Sequence, residues 1–274
     1  MSTYTMKQPK IKSKFVRELN AVIAIFARDT TIFFKSPGAI IMSFGMPLVM
    51  MGMLGGSLAQ NMTGGLNFEY GSFMMVGMLV NMLFMTTTMG MTSLVEDRMT
   101  DFTQEMMISP ISRYSIVIGK ICGSSFGAVV SMIGTLIVGL VMGITLHVYQ
   151  LLMILALAPL ICLSAGAMAI SIMGLVRDNR TANIAVSLIT MPQMFLSGAI
   201  IPLNNSSGIL YVLSRLMPMT YCLDLMRAAV YTGSADYENV VLFNPAVSFA
   251  IIAVFTVVGL IVGTFLFARS EKNR

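Results

Sequence analysis

The sequence predicts an all-α integral membrane protein, a fold class indicated by long apolar segments, few charged residues and the one-sided placement of Lys and Arg. Of the 274 residues, 56% are hydrophobic and 11% are charged, whereas a soluble domain carries about 25% charged residues because water contacts its surface. A lipid bilayer is the solvent that suits this composition. The net charge of +5 adjoins the apolar segments, so we expect contact with anionic membrane lipid and no nucleic-acid partner.

Several apolar segments are long enough to cross a membrane, since a helix needs roughly 20 apolar residues to cross about 30 Å of hydrocarbon. We predict spans one to six at residues 38–58, 71–94, 115–145, 151–175, 182–201 and 244–268. Between these limits the only Lys, Arg, Asp or Glu is Lys120, near one end of span three. The chain, residues 1–274, is predicted to be a single transmembrane domain.

Lys and Arg residues predict the sidedness of the connections, because positive residues are retained on the cytoplasmic side. With the N-terminus inside, every Lys and Arg lies in an inner segment except Arg215 and Arg227, between spans five and six. The opposite orientation would reverse this ratio. We therefore expect a multi-pass protein with both termini in the cytoplasm, and residues 1–14 lack the pattern of a removable signal peptide.

Residues 15–35 show the 3.6-residue periodicity of an amphipathic helix. Arg17 and Arg28 lie on its polar side, and Phe26 lies on its apolar side. We expect this helix to lie in the inner headgroup layer and to end before Pro37. The alternative is a cytoplasmic helix packed on the protein's own loops.

The inner connection between spans two and three, residues 96–110, carries an acidic stripe. As a helix ended by Pro110, it places Asp97, Asp101 and Glu105 at i, i+4 and i+8. The opposite side carries Met99, Phe102 and Met106. Like charges at this spacing repel, so the stripe favours a partner with Lys or Arg; a solvated acidic face is an equal alternative.

The outer connection after span five, residues 202–235, contains two short apolar segments at 206–216 and 220–232. Each is too short to span. We expect a re-entrant helical hairpin in the outer leaflet, with a surface lid as the alternative. Asp224 and Arg227 are spaced to form an ion pair, which would lower the cost of placing them at that depth.

The sequence contains no phosphate-binding loop, because Gly119-Lys120 is followed by Ile121 and lacks the preceding glycine. ATP, if used, must bind another chain. We expect no catalytic, cofactor-binding or metal-binding residues, with structural roles for Cys122, Cys162 and Cys222. A proton relay or voltage sensor needs ionisable groups at membrane depth, and the span centres offer none.

Polar residues within the spans are best explained by hydrogen bonds between helices, with small residues such as Gly123, Gly127, Gly166 and Ala167 allowing close helix contact. A sharper hypothesis is that spans two and five line a substrate path. Its candidate residues are Asn81, Phe84, Thr88, Asn183, Thr190, Gln193 and Phe195.

Two connecting segments resemble those of type 2 ABC transporter permeases (ABC-2), in the branch with daunorubicin-resistance and nodulation-factor exporters. The inner match is Glu96, Arg98, Phe102, residues 109–113 and Gly119-Lys120. The outer match is residues 195–198, Pro202, residues 218–221, Asp224 and Arg227. Two features depart from the family pattern: Thr100-Asp101 replaces a common Gly-Thr pair, and Pro-x-Trp is absent from residues 204–207.

The resemblance implies a dimer with a second permease, the same or a related chain, joined to two copies of an ATPase subunit that bind ATP and Mg. It implies that residues 96–110 are a coupling helix on the ATPase, with Glu96, Asp97, Arg98, Asp101, Phe102, Glu105, Ser109 and Pro110 as its docking residues. Residues 15–35 would be the family's connecting helix. An outer re-entrant gate would involve Pro218, Thr220, Tyr221, Asp224 and Arg227.

We therefore expect a permease subunit of an ATP-driven exporter in a bacterial inner membrane, moving a hydrophobic or amphipathic substrate such as a drug, lipid or glycolipid. Multidrug efflux is the preference that the family resemblance gives. One alternative is a motor-free membrane protein, such as a channel, receptor or assembly factor. A secondary transporter ranks last because the spans lack buried carboxylates.

Overall fold

The structure, a computed structural model, describes residues 14–55, 68–99, 112–176, 178–203 and 207–272. Within these ranges the chain is helical without strands, which confirms the all-α fold class. The helices are α1 (Lys14–Lys35), α2 (Pro37–Val49, continued by a π-helical segment Met50–Gly55), α3 (Tyr70–Gly90), α4 (Ser93–Met99), α5 (Arg113–Val141), α6 (Val148–Met173), α7 (Asn179–Leu196), α8 (Gly208–Leu216), α9 (Pro218–Val230), α10 (Tyr237–Val240) and α11 (Pro245–Lys272).

Helices long and apolar enough to cross a membrane lie at Tyr70–Asp97, Arg113–Val141, Val148–Met173 and Tyr237–Ser270. Two bent pairs also qualify if each is taken as one span: α1 with Pro37–Met53, bent by 76°, and α8 with α9, bent by 83°. The described residues thus contain four to six candidate spans. The chain is a multi-pass membrane protein.

Predicted span five is shorter and more polar in the structure. α7 has 18 residues and ends at Leu196, and it is not among the described helices that meet the criterion for crossing a membrane. Arg180 and Asn183 in its first turns lower its hydropathy. From Ser197 the chain turns into a loop instead of continuing as helix to residue 201.

α3 is the central helix of the bundle. Every residue from Phe73 to Phe84 is buried, and α5, α6, α7 and α9 all contact the helix. α5 runs antiparallel to α3, because Gly90 near the end of α3 faces Ser124 while Met75 near its start faces the later Gly139. A displacement of α3 would therefore change its contacts with α5, α6, α7 and α9.

α6 and α11 run side by side in the same direction. Gly259 of α11 faces Ala167 of α6, and one turn further Gly263 faces Ile170. Parallel packing is what spans four and six require if each crosses from the outer to the inner side. The close approach at Ala167, and that of Gly166 to Ile121 of α5, confirm the predicted packing role of these small residues.

α1 lies along the first half of α5, where glycines leave room for it. A Cβ at Gly123 would lie 2.7 Å from the Cβ of Asp29, closer than packed carbon atoms normally approach. The facing pairs, in chain order, are Gly119 with Ile25, Gly123 with Asp29 and Gly127 with Phe33. Both members advance by four residues per step, so the two helices are parallel and in register.

α1 forms where the sequence predicts it and packs along α5 through residues 25–33. Its placement in the inner headgroup layer stays a prediction. Arg28 bonds to Asp97 of α4, and its side chain remains 34% exposed. Apolar Phe15 and Leu19 are exposed.

Candidate functional site

Four charged side chains from three helices meet near the start of α5 and form what we term the inner charge cluster: Arg28 and Asp29 of α1, Asp97 of α4 and Lys120 of α5. Arg28 donates from Nη2 to Oδ1 of Asp97 at 2.6 Å and from Nη1 to Oδ2 at 3.0 Å. Lys120 Nζ lies 2.6 Å from Asp97 Oδ2 and 3.1 Å from Asp29 Oδ1. It also donates to Ser93 Oγ at 3.2 Å.

The cluster is buried at Lys120 and Asp97, which are 1% and 3% exposed, while the Arg28 side chain is 34% exposed. Among the described residues, its two cations face two anions. Buried charges are tolerated when each has an opposite charge and further hydrogen bonds. Because the members come from α1, α4 and α5, the cluster ties these three helices together.

The position of Asp97 corrects its predicted role. Its carboxylate faces Arg28 and Lys120 of the same chain, so it does not belong to an exposed acidic stripe. Helical spacing placed it with Asp101 and Glu105, but spacing does not show which neighbour covers a face. Glu96 is exposed, as a docking residue must be. The Arg98 side chain and Asp101, Phe102, Glu105, Ser109 and Pro110 lie outside the described part of the chain.

α4 directly continues the central helix. Between Gly90 and Ser93 the chain makes one turn, in which the Thr92 and Ser93 hydroxyls donate to the carbonyls of Met89 and Gly90 at 2.7 and 2.8 Å. These bonds occupy backbone acceptors at the end of α3. A force on α4 therefore reaches α3 without a flexible connection.

The far end of the connecting segment is held by α1 as well. The Ser112 backbone N–H lies 2.9 and 3.1 Å from the two carboxylate oxygens of Glu18. Arg113 donates from Nη1 to the Ala268 carbonyl of α11 at 3.2 Å. Glu18 and Arg28 are ten residues apart, about 15 Å along α1. The two ends of residues 98–111 are thus fastened to the same helix.

At the other end of the bundle, a buried arginine holds the loop that follows α7. Arg227 of α9 is 2% exposed, and its guanidinium carbon lies 3.7 Å from the centre of the Phe73 ring. It donates from Nη2 to the Gly198 carbonyl at 2.8 Å. Gly198 has φ +86°, a conformation that glycine adopts without strain.

A second contact presses the same loop onto α3. Tyr70 donates its hydroxyl to the Ile200 carbonyl at 2.8 Å, and a Cβ at Gly77 would overlap the carbonyl oxygen of Ala199. We call residues 197–203, held in this way, the outer loop. The sequence does not predict the roles of Tyr70, Phe73 and Gly77, because nothing in the pattern of α3 shows which residues face this loop.

Asp224 and Arg227 do not form the predicted ion pair. Asp224 instead accepts hydrogen bonds from the backbone N–H groups of Leu242 and Phe243 at 2.6 and 3.2 Å, and from Ser248 Oγ at 2.9 Å. It thereby fastens α9 to the start of α11. Each charge has its own neutral partners, which lowers the cost of burial without direct pairing.

The remaining residues predicted for an outer gate form the corner between α8 and α9. Pro218 is the first residue of α9. Thr220 donates from Oγ1 to the Ser214 carbonyl at 2.6 Å, and the Tyr221 hydroxyl donates to the Arg215 carbonyl at 2.8 Å. These bonds close the last turn of α8 and stabilise the 83° bend.

The structure divides the predicted substrate path into two groups. Asn183 and Phe195 are exposed on α7. Asn183 lines a groove of about 560 Å³, together with Ile184, Ser187, Leu188, Met191 and Pro192. The other five are buried in the bundle: Asn81, Phe84, Thr88, Thr190 and Gln193. These five line no open path in this conformation.

The five buried path candidates differ in whether their side chains form hydrogen bonds. Thr88 and Thr190 donate to carbonyls one turn earlier in their own helices, at 2.7 and 2.8 Å. Within the described residues, the side-chain amides of Asn81 and Gln193 have no hydrogen-bond partner. Buried amides without partners are costly. Asn81 and Gln193 are therefore the two path candidates with unused hydrogen-bonding capacity.

The start of α7 is fixed by an N-cap. Asp178 accepts from the Thr181 backbone N–H at 2.9 Å and from Thr181 Oγ1 at 2.7 Å. These bonds to the ionised carboxylate lower the pKa of Asp178. No group of three His, Cys, Asp or Glu side chains that could hold a metal ion occurs in the part of the chain that the structure describes.

The described helices form a multi-pass bundle in which the residues flanking 98–111 are bonded to α1. A family model described as ABC-2 type transporter matches residues 20–231, and the chain therefore belongs to this family. It is a permease domain of an ABC transporter, without the ATPase site, and this family normally works with an ATPase subunit. A comparison with curated proteins gives no match.

Proposed function

We propose that the chain is the permease subunit of an ATP-driven exporter in a bacterial inner membrane, with both termini in the cytoplasm. In this proposal two copies of a separate ATPase subunit bind ATP and Mg, and a second permease completes a dimer. The substrate is hydrophobic or amphipathic. The observation that carries the proposal is the attachment of both ends of residues 98–111 to α1, through Arg28 with Asp97 and through Glu18 with Ser112.

These attachments would let a force on residues 98–111 move α1 and α4. A partner that pushes on residues 98–111 displaces α1 and α4 together, because the inner charge cluster joins them. The displacement reaches α3 through the turn at Thr92. α3 contacts α7, and separation of these two helices would expose Asn81 and Gln193. Their unpaired amides would then bind polar groups of the substrate while neighbouring apolar side chains contact the rest.

The proposal is tested by reversing the charges of Asp101 and Glu105, two of the predicted docking residues. The double variant Asp101→Lys and Glu105→Lys should insert in the membrane normally but fail to copurify with the ATPase encoded beside it, and should lose the ATPase activity of the assembled complex. Glu238→Lys is the matched control, since Glu238 is an exposed acidic residue of α10 on the opposite side.

Retention of the ATPase by the double variant at the wild-type level would contradict the docking role. Failure of the wild-type chain to copurify with any ATPase would instead favour the motor-free alternative.

A further inference from the structure

An apolar groove of about 810 Å³ lies between α6, α7 and α11. Side chains that line it include Ile172, Leu175, Ile189, Val254, Val258 and Val262. The groove is open along its side: Leu175 is 72% exposed and Val254 is 63% exposed. Its walls on α6 and α11 belong to helices long and apolar enough to cross a membrane, so we expect its open side to face hydrocarbon.

Among the described residues, the lining of the groove is almost entirely apolar. Ser171 is its one hydroxyl-bearing lining residue, and Ser171 Oγ lies 2.9 Å from the Ala167 carbonyl and 3.2 Å from the Gly259 carbonyl. Its hydrogen-bonding capacity is used within and between α6 and α11. The groove therefore suits a purely apolar chain.

The groove continues along α11 to a positive charge. Val258, Val262, Phe265 and Arg269 are spaced at i, i+4, i+7 and i+11, which places them on one face of the helix. Phe265 is 62% exposed, and Arg269 is exposed. From Val262 to Arg269 the helix rises about 10 Å.

A second arginine is bonded near this end of α11. Arg113, the first residue of α5, donates from Nη1 to the carbonyl of Ala268, the neighbour of Arg269. The apolar face that continues from the groove thus ends at the exposed side chain of Arg269. An apolar groove followed by a positive charge matches the acyl chain and the phosphate of a phospholipid.

We propose that this groove binds an anionic phospholipid, with an acyl chain between α6, α7 and α11 and the phosphate at Arg269. Basic pockets between membrane helices on the cytoplasmic side are known to take anionic headgroups. Arg269 lies on the side that carries most of the basic residues, so the lipid belongs to the inner leaflet. The site depends on membrane insertion alone and not on the direction of transport.

The test uses native mass spectrometry of the purified full-length chain after addition of phosphatidylglycerol or phosphatidylcholine with identical acyl chains. Wild type should retain phosphatidylglycerol preferentially. Arg269→Gln should lower that retention about fivefold, the effect of removing one basic residue near an anionic surface, and leave phosphatidylcholine unchanged. Val258→Trp, which fills the groove, should lower retention of both lipids.

Two control variants match these changes. Lys35→Gln removes an exposed positive charge at the end of α1, and Val257→Trp enlarges the neighbouring exposed residue that does not line the groove; neither should alter lipid retention. Equal retention of the two lipids by wild type, or unchanged phosphatidylglycerol retention in Arg269→Gln, would overturn the proposal. A change of oligomeric mass in Val258→Trp with lipid retention unchanged would also overturn it, and would indicate that a second copy of the chain occupies the groove.

Discussion

Arg28 of α1 binds Asp97 of α4 through two parallel hydrogen bonds of 2.6 and 3.0 Å, although the two residues are 69 positions apart in the chain. This two-point geometry fixes the orientation of both side chains as well as their separation. Lys120 binds Oδ2 of the same carboxylate at 2.6 Å. α4, where the connecting segment starts, is thereby held to α1 and to α5.

Lys120→Met should be strongly destabilising. The change leaves Asp29 and Asp97 close together with only Arg28 as a cation, and loss of one partner from a buried ion pair costs about 3–5 kcal/mol. The free energy of unfolding, measured in detergent, should fall by that order. Lys35→Met, at an exposed position, is the control, and an equally small effect of both changes would show that the cluster does not stabilise the fold.

Adding Asp29→Asn to Lys120→Met should recover part of the loss. The double variant restores one cation to one anion, so the cluster is again balanced. A double-mutant cycle measures this interaction as the difference between the combined and the separate effects. Strict additivity of the two changes would contradict direct interaction between Lys120 and Asp29.

Gly77→Ala should disturb the outer loop. The new Cβ would overlap the Ala199 carbonyl, and backbone has to move to relieve it, so we expect destabilisation of about 1–3 kcal/mol. Gly45→Ala is the matched control, since nothing lies within 4 Å of a Cβ there. Equal unfolding temperatures for the two variants would contradict the tight contact.

Asp224→Asn should loosen the junction of α9 and α11. Asp224 accepts three hydrogen bonds from Leu242, Phe243 and Ser248, and an amide offers one oxygen in place of two. Bonds to a charged group contribute about 1.5–3 kcal/mol, so a loss of that size is expected in chemical unfolding. Asp236→Asn, at a partly exposed position, should have little effect; a comparable loss there would indicate that the assay senses surface charge.

Because of the N-cap of α7, we expect the stability of the protein to depend on pH. Hydrogen bonds from Thr181 lower the pKa of Asp178 in the folded state, so its stabilisation is present above the unfolded pKa and is lost as pH falls through the folded pKa. The stability difference between wild type and Asp178→Ala should therefore shrink as the pH is lowered from 7 to 3. A difference that stays constant over this range would contradict the role of the ionised carboxylate.

Composition and spacing predicted the features that depend on the solvent and on local sequence. The apolar segments gave spans two, three, four and six, and the small residues at Gly123, Gly127 and Gly166 were assigned to close helix contacts. These features are readable because lipid selects apolar side chains over a fixed length.

The errors concern which neighbour covers a polar face. Asp97 fits an exposed acidic stripe by helical periodicity but is covered by Arg28 and Lys120, and periodicity contains no information on such distant pairs. Arg227 was predicted to pair with the nearest acid in sequence and instead stacks on Phe73. α7 was extended to residue 201 because apolar residues continue past Leu196, where the outer loop turns back onto α3.

The central claim, that the segment around Asp101 faces the cytoplasm and docks on an ATPase, is tested most directly by labelling. Asp101→Cys would be placed in a chain whose Cys122, Cys162 and Cys222 are replaced, and treated with a membrane-impermeant maleimide in intact cells and in inverted membrane vesicles. We predict labelling in inverted vesicles alone, and protection from it when the ATPase is bound. Labelling of intact cells, or equal labelling with and without the ATPase, would contradict the account.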